Sequence, residues 1–324
     1  MISIIKKPNT NEEIFSKLNP ITSKWFKQKF GSFTDAQRYA ILNIEKRENI
    51  FITSPTGSGK TLSAFSAILD HLITLSGKNK LENKVYAIYI SPLKALTRDI
   101  EINLTEPLQE MEKIAGKEFG INLGVRTGDT TPYERQKMLK KPPHILITTP
   151  ESLALMLSSM KFKELLRGAG WVILDEIHAL AENKRGVHLS LSLERLQDIS
   201  PKMARIGLSA TVEPIEELAH YLVGHGRICK VAQVKFAKKF DLQVISPLPD
   251  LIDATYGQMQ RAQYKKLHEL IDEHKTTLIF TNTRAGTERV VHDLKEIYPN
   301  KYVENIGAHH GSLSKTHRVN IETK

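Results

Sequence analysis

The chain has 324 residues, 46 Lys and Arg against 36 Asp and Glu, and a net charge of +10, with 40% hydrophobic and 25% charged residues. This composition excludes a disordered polymer, and one cysteine, Cys229, excludes a disulfide scaffold or a cysteine-based zinc cluster. The length suits two domains, and the basic excess favours an anionic polymer as partner, because cations that neutralise phosphates release condensed counterions.

The opening Met1-Ile-Ser-Ile-Ile-Lys-Lys-Pro8 is too short an apolar run for a secretory signal, and nowhere do about 18 apolar residues follow one another to span a bilayer. A cytoplasmic, membrane-free protein is expected. Trp25, Phe26 and Phe30 are expected to pack an N-terminal helix rather than stack a base, with a place flanking an adenine site as the alternative. Apolar strands are expected at 49–53, 85–91, 122–126, 145–148, 171–174 and 204–209, alternating with amphipathic stretches. After the first of these, Leu62, Phe65, Ile68, Leu69, Leu72 and Leu75 share one helical face. The pattern predicts an α/β fold, a parallel sheet sandwiched by helices, with ligands beyond the carboxyl ends of the strands.

Lys137, Lys140 and Lys141 precede Pro142-Pro143 and read as a solvated helix end. From 228 to 243 the basic run Lys235, Lys238, Lys239, followed by Ser246-Pro-Leu-Pro249, reads as a linker, with Cys229 an inert thiol within it. Beyond it are expected a helix from about 250 to 273, a strand at 277–281, a helix at 285–297, a strand near 303–306, and a chain that stops at Lys324 in mid-helix.

The strongest chemical signal is Ser54-Pro-Thr56-Gly57-Ser58-Gly59-Lys60-Thr61, between an apolar strand and an amphipathic helix. A phosphate chain needs inward-pointing backbone N–H groups at a helix N-terminus, and glycines let the backbone come that close. Lys60 reaches the β and γ phosphates, and the Thr61 hydroxyl holds Mg²⁺. Ser54 stands where the general motif has its first glycine. The second signal is Trp171-Val-Ile-Leu-Asp175-Glu176-Ile-His178, a strand ending in two carboxylates: Asp175 to hold Mg²⁺ through water, Glu176 to polarise the attacking water. Gly207-Leu-Ser209-Ala-Thr211 alone is only a turn-like string. Together these make Lys60, Asp175 and Glu176 the expected catalytic set and ATP with Mg²⁺ the expected ligands.

In order, Gln37, the phosphate loop, Asp175-Glu-Ile-His178 and Ser209-Ala-Thr211 resemble motifs Q, I, II and III of superfamily 2 helicases of the DEAD/DEAH type. Ser91-Pro92-Leu-Lys94, Thr127-Gly128-Asp129 and Thr149-Pro150-Glu151-Ser152 resemble the elements with which such helicases grip a sugar-phosphate backbone, where hydroxyls, helix-start amides and a lysine suit phosphate rather than base edges. The segments 175–180 and 184–196, with Trp25-Phe26, Phe33-Thr-Asp-Ala-Gln37 and residues 277–284, are similar to the large helicase-related (Lhr) family. The resemblance covers nearly the whole chain. It implies a RecA-like fold, adenine recognition by Gln37, and coupling through His178, Ser209 and Thr211. It also implies 3′-to-5′ translocation on single-stranded DNA or RNA with unwinding of DNA or DNA–RNA hybrids, and a role in DNA repair or recombination; a monomer is expected. Phe280, Asn282, Thr283 and Arg284 match motif IV, and His309-His310-Gly311 the following segment near nucleic acid.

The sequence departs from that pattern late. The Gln-x-x-Gly-Arg-x-Gly-Arg-like segment of motif VI, which carries an arginine finger worth about 10³ to 10⁵ in rate where it has been measured, is absent, as is motif V. The expected organisation is a RecA-like domain over 1–232, then a linker and an incomplete second RecA-like domain over 233–324, the N-terminal part of a longer protein. Such a chain is expected to bind ATP and nucleic acid and to hydrolyse ATP weakly. The rival readings are a nucleic-acid clamp without turnover and a P-loop ATPase with no nucleic-acid role. Against a GTPase, no Asn-Lys pair is followed by the Asp that guanine recognition needs.

Overall fold

A computed structural model describes residues 1–55, 57–92, 94–234, 241–250, 252–310, 312–313 and 321, without side chains at 94–99 and 101–102. The chain forms two compact units, Met1–Lys238 and Lys239–Lys324.

In the first unit β1 (Ile2–Ile4) leads into α1 (Asn11–Lys17), α2 (Pro20–Lys29) and α3 (Asp35–Glu45). Then follow β2 (Ile50–Thr53), α4 (Lys60–Gly77), β3 (Ala87–Ile90), α5 (Lys94–Ala115), β4 (Leu123–Arg126), α6 (Pro132–Lys140) and β5 (Ile145–Thr148). The unit continues with α7 (Pro150–Ser158), α8 (Met160–Leu166), β6 (Trp171–Leu174), α9 (His178–Ala181), α10 (Lys184–Ile199), β7 (Ala204–Ser209), α11 (Ile215–Val223) and β8 (Cys229–Gln233). Helix starts follow local chemistry: Thr10, Thr34 and Thr131 close capping boxes with Glu13, Gln37 and Glu134.

The eight strands form one sheet in the order β1-β8-β2-β7-β6-β3-β5-β4, every pair parallel. Parallel sheets need cover on both faces, and these strands are apolar on both. Ile50, Ile52, Tyr89, Ile145, Ile173 and Ile206 pack beneath α1 to α5, while Phe51, Ile88, Leu146, Val172 and Leu174 pack beneath α7, α10 and α11. All carboxyl ends therefore share one edge, where the six motif-bearing loops emerge.

Two expectations in the linker and beyond it require correction. Residues 229–233 are not linker but β8, bonded to both β1 and β2. Lys230 is the one charge in that strand, and its ammonium is accommodated at Asn43 (3.0 Å) and Glu48 (2.7 Å). Cys229 is buried, and burial pushes its thiol up to about 12, so it stays an unreactive thiol.

The second unit contains α12 (Tyr256–Glu273), α13 (Arg284–Ile297) and α14 (Pro299–Tyr302), with Tyr264, Leu294 and Tyr302 as its small core. Neither 277–281 nor 303–306 is a strand, and among the described residues this unit has none. An apolar run becomes a strand only with a ladder partner, and Leu278 and Phe280 stand 79% and 90% exposed. The helix expected from 250 begins at Tyr256, where Thr255 caps it. The end of the chain at 322–324 lies outside the described residues.

Candidate nucleotide and nucleic-acid site

β2 delivers the chain to the phosphate loop and α4 carries it away. Gly57 and Gly59 take φ of +78° and +84°, the left-handed region that favours glycine. A Cβ on Gly59 would lie 2.8 Å from Gln37 Nε2, so that position is closed to other residues on two counts. Ser54, in place of the usual glycine, spans the loop to Ser58 through a 2.6 Å hydroxyl contact. Thr34 Oγ1 donates to the Ser58 carbonyl at 2.7 Å, tying the loop to the start of α3. Lys60 is buried, and its ammonium donates to the carbonyls of Ser54 (2.5 Å) and Pro55 (3.1 Å). Burial pulls its pKa down against the opposing pull of Glu176 and Asp175. Thr56 lies outside the described residues.

β6 ends at Leu174, and the two carboxylates follow. Asp175 is buried, and burial raises its pKa. Its Oδ1 accepts the Glu176 N–H at 2.9 Å, and Oδ2 accepts the Tyr89 hydroxyl. Glu176 sits at φ +47°, a costly conformation for a non-glycine residue. His178 Nδ1 stands 3.0 Å from Ser209 Oγ and 3.5 Å from Glu176 Oε2, so one imidazole joins the ends of β6 and β7. Thr211 is exposed beyond them.

These groups face a cavity of about 500 Å³. Its floor is Gly57, Gly59, Lys60, Thr61, Asp175 and Glu176; one wall is Trp25, Lys29 and Phe30 of α2, the other Asn103, Glu106 and Pro107 of α5. Trp25 and Phe26 are core residues, as expected, yet Trp25 also lines this cavity, held by its indole N–H on Glu110 Oε2 at 2.6 Å. Gln37 is 3% exposed and does not line the cavity; its Oε1 accepts the Thr34 N–H at 2.9 Å. The α5 wall and Tyr89 have no sequence signature. Tertiary packing, not local pattern, brings them in.

The expected nucleic-acid residues of the first unit occupy the ends of β3, β4 and β5. Ser91 is fully buried, and the Lys94 side chain lies outside the description. Arg185 donates to the Pro92 carbonyl (2.8 Å) and to Glu151 Oε1 (2.6 Å), joining two of these loops. The Thr127 N–H is held by Thr130 Oγ1 at 2.9 Å, and the Gly128 carbonyl faces Arg135 at 3.5 Å. Thr149 caps α7, whose first residue is Pro150. Arg126, 5% exposed beside the Phe162 ring, is more a buried structural cation than a surface one. In the second unit Thr283 caps α13 just after Asn282, Arg284 reaches Ser312 at 2.5 Å, and His310 Nε2 lies 2.7 Å from Glu288. Gly311 lies outside the described residues.

A parallel sheet with a phosphate loop and an Asp-Glu pair at its carboxyl edge is a RecA-like nucleotide-binding core. A family profile described as DEAD/DEAH box helicase matches residues 34–218, over half the chain, and the chain belongs to that family. Within it, the chain is 52% identical to ATP-dependent helicase Lhr-Core of Methanothermobacter thermautotrophicus and 53% to that of Methanocaldococcus jannaschii, in each case over 100% of this chain and 38% of the relative. It superposes on Mycobacterium smegmatis helicase Lhr, solved with ssDNA and AMP-PNP, with a TM-score of 0.84 and 38% identity over 95% of this chain and 40% of that one. The chain thus spans about two fifths of the length of the relatives it matches.

Proposed function

We propose that the first unit binds ATP with Mg²⁺ and that the chain is the ATP-binding portion of a nucleic-acid motor. The observation that carries this is the convergence of Lys60, Thr61, Asp175 and Glu176 on one cavity at the carboxyl edge of the sheet. The donors suit the ligand: a loop that bars a side chain at Gly59, a buried ammonium for phosphate, and hydroxyl and carboxylate oxygens for a hard cation. Thr61 and Asp175 would hold Mg²⁺, which supplies positive charge beside the β and γ phosphates. Gly57, Ser58, Gly59 and Lys60 bind phosphate, and Glu176 orients the attacking water. The His178–Ser209 contact is the natural link from this site to the rest of the sheet edge. Gln37 is the residue for adenine by its match to motif Q; its side chain here braces the Thr34 N–H at the start of α3.

Ser91, Pro92, Lys94, Thr127, Gly128, Thr149, Pro150 and Glu151 form a backbone-gripping row on the same edge. Asn282, Thr283, Arg284, His310 and Gly311 continue that role in a second RecA-like domain to which residues 239–324 belong. The motif resemblance extends the proposal to 3′-to-5′ translocation on single-stranded DNA or RNA and unwinding of DNA or DNA–RNA hybrids, by a cytoplasmic monomer acting in DNA repair; the relative solved with ssDNA and AMP-PNP supports its nucleotide and single-strand parts. Without a motif VI segment in its 324 residues, the chain itself turns ATP over slowly.

The test is binding of a fluorescent ATP analogue with and without Mg²⁺, for the chain and for Lys60→Ala, beside ATP hydrolysis with and without single-stranded DNA. Mg²⁺-dependent binding lost in Lys60→Ala is expected, with slow hydrolysis stimulated by DNA. DNA binding with no hydrolysis would favour the clamp, hydrolysis indifferent to DNA the plain ATPase, and no analogue binding would overturn the reading.

A further inference from the structure

Tyr89 has no place in any motif, yet its side chain contacts both Asp175 and Phe65 of the helix that begins at Lys60. It lies on β3 with no exposed surface. Because β3 and β6 pair in parallel with Tyr89 opposite Ile173, both side chains leave the sheet on the face covered by α4. Side chains alternate along a strand path, so Asp175, two residues after Ile173, returns to that same face. There the Tyr89 hydroxyl donates to Asp175 Oδ2. The Tyr89 ring stacks on Phe65 of α4, with centroids 5.1 Å apart and an interplanar angle of 28°. The helix that begins with Lys60 therefore locates the ring, and the ring's hydroxyl locates the carboxylate.

Asp175 has two oxygens and both are fixed by the chain. Oδ1 is held by the N–H of the next residue, Glu176, at 2.9 Å. Oδ2 is held by Tyr89. A carboxylate gripped at one oxygen can still swing about its χ angles; one gripped at both keeps a single orientation. The remaining lone pairs then point in a set direction, which is what water-mediated cation binding requires. Two residues beyond Tyr89, Ser91 and Pro92 begin the first nucleic-acid loop, so the same strand end serves both sites.

We propose that Tyr89 is a positioning residue for Asp175, its hydroxyl holding the carboxylate in the orientation that receives Mg²⁺. The inference rests on the reading of the cavity as a Mg-ATP site. The experiment is a Mg²⁺ titration of binding of a fluorescent, non-hydrolysable ATP analogue to the 324-residue chain, comparing wild type with Tyr89→Phe. The substitution keeps the ring and its stacking and removes only the donor. Loss of a partner that orients a metal-holding group weakens metal affinity about tenfold or more, so the half-saturating Mg²⁺ concentration rises by about that factor. Saturating Mg²⁺ restores analogue binding to the wild-type level, and an unchanged far-UV circular dichroism spectrum certifies that the variant is folded.

Tyr221→Phe is the control: it removes another hydroxyl, the one that donates to the Gly186 carbonyl at 2.8 Å, away from the cavity. It lowers the melting temperature without moving the Mg²⁺ curve. Superimposable Mg²⁺ curves for wild type and Tyr89→Phe overturn the inference while leaving the nucleotide site intact. Wild-type analogue binding that ignores Mg²⁺ overturns the site reading and the inference with it.

Discussion

Arg185 donates through Nε to the Glu151 carboxylate at 2.6 Å, and through Nη2 to the carbonyl of Pro92 at 2.8 Å. One guanidinium thus joins α10, which follows the Asp-Glu pair, to two loops of the proposed backbone-gripping row. The ion pair is about half exposed, so its contribution to stability is small, roughly 0 to 1 kcal/mol.

Arg185→Ala is therefore expected to leave the melting temperature within a degree or two while weakening binding to single-stranded DNA, because Glu151 is left as an unpaired negative charge beside phosphate. A loss of about 1 kcal/mol, or fivefold, is expected by fluorescence anisotropy at low salt, shrinking as salt is added. Restoration of affinity in Arg185→Ala combined with Glu151→Gln would complete the argument. Unchanged DNA affinity in the single variant would refute it.

Gly186 is required by packing rather than by its dihedral angles. A Cβ there would stand 1.9 Å from the Leu180 carbonyl oxygen and 3.0 Å from the Tyr221 hydroxyl. Backbone of α9 and α10 must separate to admit a methyl group, so Gly186→Ala is expected to cost about 2 to 3 kcal/mol, read as a shifted urea midpoint with an unchanged slope. A neutral Gly186→Ala would mean that the two helices are not in this close contact.

Arg205 is 1% exposed, with its guanidinium shared among Glu194 (3.0 Å), Gln197 (2.9 Å) and the carbonyls of Leu193 and Leu222. Glu194 also pairs with Arg227 at 2.6 Å. Glu194→Ala leaves a buried cation short of its counter-charge and is expected to cost about 3 kcal/mol. Arg205→Met, which removes the buried charge and fills its space, should be the milder of the two in thermal melts. The reverse order would show that the ion pair is worth more than the desolvation it requires.

Asp70 on α4 accepts the Asn19 N–H at 2.8 Å, and burial raises its pKa from 3.8 to about 6. A carboxyl raised in the folded state favours folding fully below its unfolded pKa, and the benefit disappears as pH rises through its folded pKa. Asp70→Asn keeps the acceptor without the charge. The stability of wild type minus that of Asp70→Asn is thus expected to fall by roughly 2 kcal/mol between pH 4 and pH 7, in paired urea melts. A flat difference across that window would place Asp70 outside the core.

Much of the first unit was legible in its sequence because parallel strands write themselves as short, fully apolar runs. Ile145–Thr148, Trp171–Leu174 and Ala204–Ser209 are found at the expected residues. The phosphate loop and Asp175-Glu176 were legible for a related reason: their chemistry depends on neighbours in the chain. β8 was missed because Lys230 interrupts it, a charge that only tertiary structure explains through Asn43 and Glu48. Residues 277–281 show the opposite failure, since periodicity marks a strand's faces and says nothing of its partner. Tyr89, Asn103 and Glu106 were silent because their roles come from residues far away in sequence.

The order of the sheet also bears on mechanics. The polypeptide leaves the first unit through β8, which is bonded on one side to β1 and on the other to β2, all three in parallel register. Tension applied along the axis of β8 would load two ladders in shear, so their bonds must yield together rather than unzip one by one. Residues 2–4, which look like an incidental tail, double the ladder that holds this strand in the first unit.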